Sequence, residues 1–128
     1  MREHIRQPEG LPPTNAYSHV VSYSGRTVAV SGQVPLDSTG DLVGRGDAEA
    51  QIRQVFRNVS TALAAAGAGM RDVVKLTVFL IDLADLPLFR QVRDEYIVLS
   101  EPPASSLVQV SGLVNPEFRV EVEAWAAV

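Results

Sequence analysis

Few side chains in this sequence are placed to do chemistry, and a carboxylate near the end of the chain leads them. Glu121 lies in the run Val120-Glu121-Val122-Glu123-Ala124. A glutamate in such a setting can carry a proton between water and a leaving amine, provided burial raises its pKa. The competing reading is a strand glutamate paired with Arg119 on the same face. Tyr17 offers a hydroxyl that either orients a ligand or merely packs in a wall. Ser31 precedes Gly32, where a backbone can approach closely, and is otherwise an ordinary turn serine. Ser105 can hydrogen-bond a neutral ligand. Arg90 can supply a cation, or be a solvated residue on an amphipathic helix.

Other chemistries find little footing. There is no cysteine, which excludes disulfides and thiolate catalysis. His4 and His19 are far apart, with no ligand-like carboxylate spacing, so no metal site is expected. Gly44-Arg45-Gly46 and Gly67-Ala68-Gly69 lack the third glycine of a phosphate-binding turn, and no Gly-x-Ser-x-Gly elbow occurs. The net charge is -4, and Lys75 is the only lysine. A broad electrostatic grip on nucleic acid is therefore disfavoured. No apolar run approaches the roughly 20 residues a membrane helix needs, and the amino-terminal MREHIRQPEG lacks a signal core. A soluble, cytoplasmic protein is the expectation.

These groups need a scaffold, and 128 residues suit one domain spanning 1–128. Hydrophobic residues at 46% and charged residues at 20% match an ordinary globular mixture, so disorder is not expected. Met1 to Asn15, with three prolines, reads as an arm or loop. Residues 16–24 alternate as a strand, with Tyr17, His19, Val21 and Tyr23 on one side. Ser24-Gly25 reads as a turn into a second strand, Thr27 to Gln33, paired with the first as a hairpin. Leu36 to Gly46 is a loop with room for a short strand at 41–43.

Ile52, Val55, Phe56, Val59, Leu63 and Ala66 recur at helical spacing, which predicts a helix over 47–66 with Asp47 at its start and Gly67 as its cap. Val73 to Ile81 reads as a central strand with a parallel neighbour. A second helix begins near Asp85 and buries Leu86, Phe89, Val92 and Tyr96. Ser106 to Val110 and Phe118 to Ala127 are the last strands. The order is ββαβαββ: an α/β (α+β) chain with a single mixed β-sheet and two helices on one face. On the last strand Arg119, Glu121, Glu123 and Trp125 share the face away from the helices. A tryptophan among three charges there suggests burial at an assembly interface.

Several local signatures fall in one order: Ala16-Tyr17; Ser31-Gly32-Gln33-Val34-Pro35; Val74-Lys75-Leu76-Thr77-Val78-Phe79-Leu80 before Asp82-Leu83; Pro103-Ala104-Ser105-Ser106; and the Val120–Ala124 run. Together they closely resemble the RidA/YjgF family of reactive-intermediate deaminases, also called endoribonuclease L-PSP-like, over nearly the whole chain. The resemblance implies that family's chorismate-mutase-like fold, a homotrimer and ligand clefts between subunits. It implies hydrolysis of small enamines and imines to a ketoacid and ammonia, with no cofactor and no metal.

Carried over residue by residue, the resemblance makes Tyr17 and Ser31 substrate-binding and Glu121 catalytic. It also places Ser105 where active members have an arginine that clamps the substrate carboxylate, Arg90 where the pocket usually has an asparagine, and the hydrophobic Leu107 just beyond Ser105. A serine cannot imitate a planar, permanently charged fork. Losing a charged hydrogen-bond partner costs about 1.5–3 kcal/mol, roughly 10- to 150-fold in affinity. The expectation is a small-molecule hydrolase of altered specificity. The alternatives are a non-catalytic ligand-binding trimer and, less favoured, an endoribonuclease.

Overall fold

The computed structural model describes all 128 residues. Its strands are β1 (Arg2–Ile5), β2 (Val20–Tyr23), β3 (Thr27–Gln33), β4 (Val73–Leu80), β5 (Ala104–Gln109) and β6 (Val120–Ala127); its α-helices are α1 (Ala48–Ala65) and α2 (Leu86–Tyr96). Four strands form a mixed sheet in the order β3-β6-β4-β5, with β4 and β5 parallel and the other pairs antiparallel. The β4–α2–β5 crossover needs its helix, because parallel strands cannot be joined by a tight turn.

The alternation of β6 sorts the two faces. Val120, Val122, Ala124 and Ala126 are buried, while Glu121 and Glu123 are half-buried and Trp125 is exposed. Leu76, Val78 and Leu80 of β4 join the buried set. Against it pack Ile52, Val55, Phe56, Val59 and Leu63 of α1 and Phe89 and Val92 of α2, the stripes expected from their spacing. The Phe56 ring stacks on Tyr96 at 5.1 Å and lies 5.6 Å from Phe89, which locks the helices together. Arg53 of α1 ties them again at the surface by a bidentate bond to Glu95 of α2 at 2.9 and 3.0 Å, which holds the Glu95 carboxyl below its ordinary range.

The helix ends follow local chemistry. The Asp47 carboxylate accepts from the Ala50 amide at 3.0 Å, an N-cap. Gly67, at φ 75°, closes α1: its amide bonds the Ala64 carbonyl and that of Ala68 bonds Leu63, a Schellman arrangement that favours glycine.

The amino-terminal part departs from expectation. The first 15 residues are not all arm, because Arg2–Ile5 forms β1 and pairs antiparallel with β2 in a ribbon separate from the main sheet. The expected β2–β3 hairpin ladder does not form; β3 pairs with β6 instead. The reason lies at the turn, where the Arg26 amide and carbonyl bond Val128 at the end of the chain rather than β2. The segment before β2 is also not continuous strand. Ala16 adopts φ 53°, and Ser18 makes one parallel bridge to Ala104. In the 36–46 loop, the strand that had room to form reduces to a single bridge, Leu36 to Leu42.

Candidate functional site

The six candidate side chains fall into two groups. Tyr17, Arg90, Ser105 and Leu107 line one cleft of about 390 Å³, together with Asn15, Phe89 and Arg93. Its floor is β5, in register with β4 so that Ser105 lies opposite Leu76 and Leu107 opposite Val78. Leu76 and Val78 are buried against the helices, so Ser105 and Leu107 also point to the helix side of the sheet. The parallel bridge from Ser18 to Ala104, with the Ser18 amide on the Pro103 carbonyl at 2.9 Å, brings the Tyr17 segment alongside the start of β5. Ala16 takes a left-handed backbone, and Asn15 and Tyr17 on either side of it both line the cleft.

The second group is Ser31 and Glu121. Val30 of β3 pairs with Ala124 and Gln33 with Val122, so three steps on β3 span two on β6. Ser31 and Gly32 form this bulge, a device that re-aims side chains. A Cβ on Gly32 would stand 2.8 Å from Glu121 Cδ and overlap the carboxylate, so glycine is what admits Glu121 here. Glu121 lies opposite Phe79 of β4, on the face without helices. Its carboxylate has no partner in the chain. Arg119, the expected partner, donates instead to Asp85 at 2.9 and 3.1 Å, and this pairing raises the Arg119 pKa. A larger hollow of about 630 Å³ between α1 and the 33–38 loop reaches Gly32 but contains none of the six.

The two groups do not meet within one chain. Ser105 and Glu121 point to opposite faces of the sheet, and β5 is two strands from β6 across β4, about 10 Å in the hydrogen-bonding direction.

Two polar cleft residues escaped the sequence reading, Asn15 and Arg93. Arg93 is buried, with its side chain 8% exposed. Its Nε donates to Asp94 Oδ1 at 3.0 Å and its Nη2 to Asn15 Oδ1 at 2.9 Å. The signal was available: Arg93 stands four residues after Phe89 and one after Val92, on the apolar stripe of α2, where a charge calls for an explanation. Arg90, by contrast, is exposed and makes no ion pair.

No three His, Cys, Asp or Glu side chains converge as a metal cluster, and no helix is long and apolar enough to cross a membrane.

The endoribonuclease L-PSP family model matches residues 8–128. The 3-aminoacrylate deaminase RutC of Acinetobacter baylyi is 41% identical over 128 residues, covering 100% of both chains. The human 2-iminobutanoate/2-iminopropanoate deaminase is 38% identical over 101 residues, 79% of this chain and 72% of its own. Among solved structures, the Rid-family protein YyfB of Yersinia pestis superposes with a TM-score of 0.89 at 35% identity, over 99% of this chain and 98% of that one. Two helices packed on a mixed sheet, the motifs on that frame and these matches agree, and the chain belongs to the endoribonuclease L-PSP family, the RidA/YjgF proteins.

Proposed function

We propose that this protein is a small-molecule hydrolase that deaminates imines or enamines, acting as a homotrimer whose sites are completed by a neighbouring subunit. The observation that carries this reading is the division of the site. One chain offers a cleft at Tyr17 and Ser105 and, on the opposite sheet face, an unpartnered carboxylate at Glu121 beside Ser31. Each half lacks what the other has. The helix-free face also leaves Trp125, Tyr23 and Val108 exposed, with a hollow of about 430 Å³ among Tyr23, Val74, Lys75 and Trp125. Apolar surface of this kind is buried by association. The relatives named as deaminases of 3-aminoacrylate and of 2-iminobutanoate supply the reaction class.

In the reaction, an enamine first tautomerises to its imine. Water then adds to the C=N carbon of the protonated imine while the Glu121 carboxylate takes a proton from it, giving a neutral carbinolamine. The Glu121 carboxyl gives that proton to nitrogen, the C–N bond breaks as the hydroxyl returns a proton to the carboxylate, and ammonia and a carbonyl compound leave. Tyr17 and Ser31 orient the ligand, and Leu107 gives the cleft an apolar wall. The substrate range differs from that of a pocket with a cation on β5, because Ser105 stands there and offers only a hydroxyl.

The test is ketoacid release from freshly generated 2-iminobutanoate by wild type and Glu121→Gln. Release by wild type that the variant loses is the expected result. The same Ser105 favours a second reading, a trimer that binds a metabolite without turning it over. Saturable ligand binding with no ketoacid release would select it and overturn the first.

A further inference from the structure

We propose that Arg93 is the anion-binding group of the cleft, so that its ligand is a carboxylate gripped from α2 rather than from β5. The inference rests on the reading of this cleft as the place of the substrate.

The argument begins with where Arg93 stands. A guanidinium in an apolar helix face is expensive to desolvate unless its donors are engaged. Here Nε and Nη2 are engaged, by Asp94 and Asn15. Nη1 donates to nothing in the chain, yet no buried polar atom lacks a partner. Nη1 therefore reaches solvent, and Arg93 lines the cleft. The remaining donors of a nearly buried cation are thus free, on a residue that lines a concave space.

The surroundings favour a negative acceptor. The cleft is lined by two arginines and by no acid. Asp94, 42% exposed and not part of the cleft lining, offsets the Arg93 charge, and Arg90, exposed and unpaired, leaves the cleft with an excess of positive charge. Asn15 and Asp94 hold the guanidinium from two sides, which fixes its rotamer before a ligand arrives. The Tyr17 and Ser105 hydroxyls share the same cleft and can hydrogen-bond the rest of the ligand. The cation missing from β5 is thus present on another wall, from a different direction. A ligand carboxylate would then lie against α2, and the distance from it to the reacting carbon becomes what the cleft selects.

Arg93 also joins α2 to the amino-terminal segment through Asn15, and a purely structural role would affect stability alone. The experiment separates the two by measuring, on the full chain, calorimetric binding of 2-oxobutanoate and of its uncharged methyl ester. Wild type should prefer the acid by about tenfold or more. Arg93→Met should remove that preference, with acid binding weakened roughly 10- to 150-fold. Should Arg93→Met fail to fold, Arg93→Lys carries the test, since an ammonium cannot reproduce the fixed fork and several-fold loss is expected. Asn15→Ala should weaken the acid less and leave the ester unchanged. An acid-over-ester preference unchanged in folded Arg93→Lys or Arg93→Met would overturn the inference. Arg93-dependent acid binding without any imine turnover by wild type would keep it and overturn the deaminase reading. Turnover whose KM and ligand binding ignore Arg93 would do the reverse.

Discussion

Arg119 closes on Asp85, not on Glu121, and the bidentate bond at 2.9 and 3.1 Å uses the donors that a neighbouring carboxylate would need. Asp85 precedes α2 and is itself nearly buried, so the pair fastens β6 to the start of that helix. Glu121 is left without a partner in the chain, and a proton carrier needs that freedom. Glu121→Gln should therefore leave melting temperature and assembly unchanged. It should also lower imine turnover by about 10²–10⁴-fold, the usual contribution of a proton-transfer group. Unchanged turnover in the folded variant would return Glu121 to an ordinary strand residue.

Gly32 gives an independent handle on the same carboxylate. A methyl group there would overlap Glu121 and force its side chain to another rotamer. Gly32→Ala should impair turnover mainly through kcat, because the cationic wall of the cleft is untouched, and should change 2-oxobutanoate binding little. A loss in ligand binding equal to the loss in turnover would mean that the bulge, Ser31 included, chiefly binds ligand rather than setting the proton carrier.

The periodic parts of the chain were legible in the sequence, and the parts set by tertiary partners were not. Ile52 to Ala66 and Val73 to Leu80 carry their faces in their spacing, and the β6 alternation separates Val120, Val122 and Ala124 from Glu121 and Trp125 as read. Local pattern cannot say with whom a strand pairs. The turn at Ser24-Gly25 reads as a hairpin, but Val128 captures Arg26 and β3 goes to β6. The site divides similarly. Tyr17, Arg90, Ser105 and Leu107 come together in one cleft; Arg93 was signalled by its place on the apolar stripe of α2, but Asn15 emerges only with the half-buried Asn15–Arg93 bond. The separation of Ser105 from Glu121 follows from strand order, which motif order along the chain does not encode.

Assembly makes the next prediction. Trp125 is 43% exposed and Tyr23 41% exposed, both beside the hollow on the helix-free face. Light scattering should give a mass near three times the 13.8 kDa of one chain. Trp125→Glu should weaken that assembly, because a new charge would have to be desolvated at the contact. Turnover should fall with the trimer, since Glu121 and Ser105 of one chain cannot reach one another. Full activity in a monomeric Trp125→Glu protein would rule out an intersubunit site.

Ser105→Arg tests the β5 wall of the cleft. The new guanidinium would stand on the floor facing α2, and it would add a carboxylate grip from the direction that wild type lacks. Such a grip holds substrate and transition state alike, so its effect belongs in KM more than in kcat. For 2-iminobutanoate, KM should fall by about tenfold, somewhat below the full value of a charge-assisted bond, because no second shell has been built to hold the new rotamer. Arg90 and Arg93 already charge the cleft positively, which opposes a third cation until an anion is bound. An anion relieves that repulsion, so the gain should grow as salt is lowered, and it should be larger in Arg93→Met,Ser105→Arg, where the carboxylate has lost its other grip. Steady-state ketoacid release by wild type, Ser105→Arg and the double variant measures both effects. A KM that ignores Ser105→Arg in both backgrounds would mean that the substrate carboxylate never approaches β5, and the role given to Ser105 in setting the substrate range would fall.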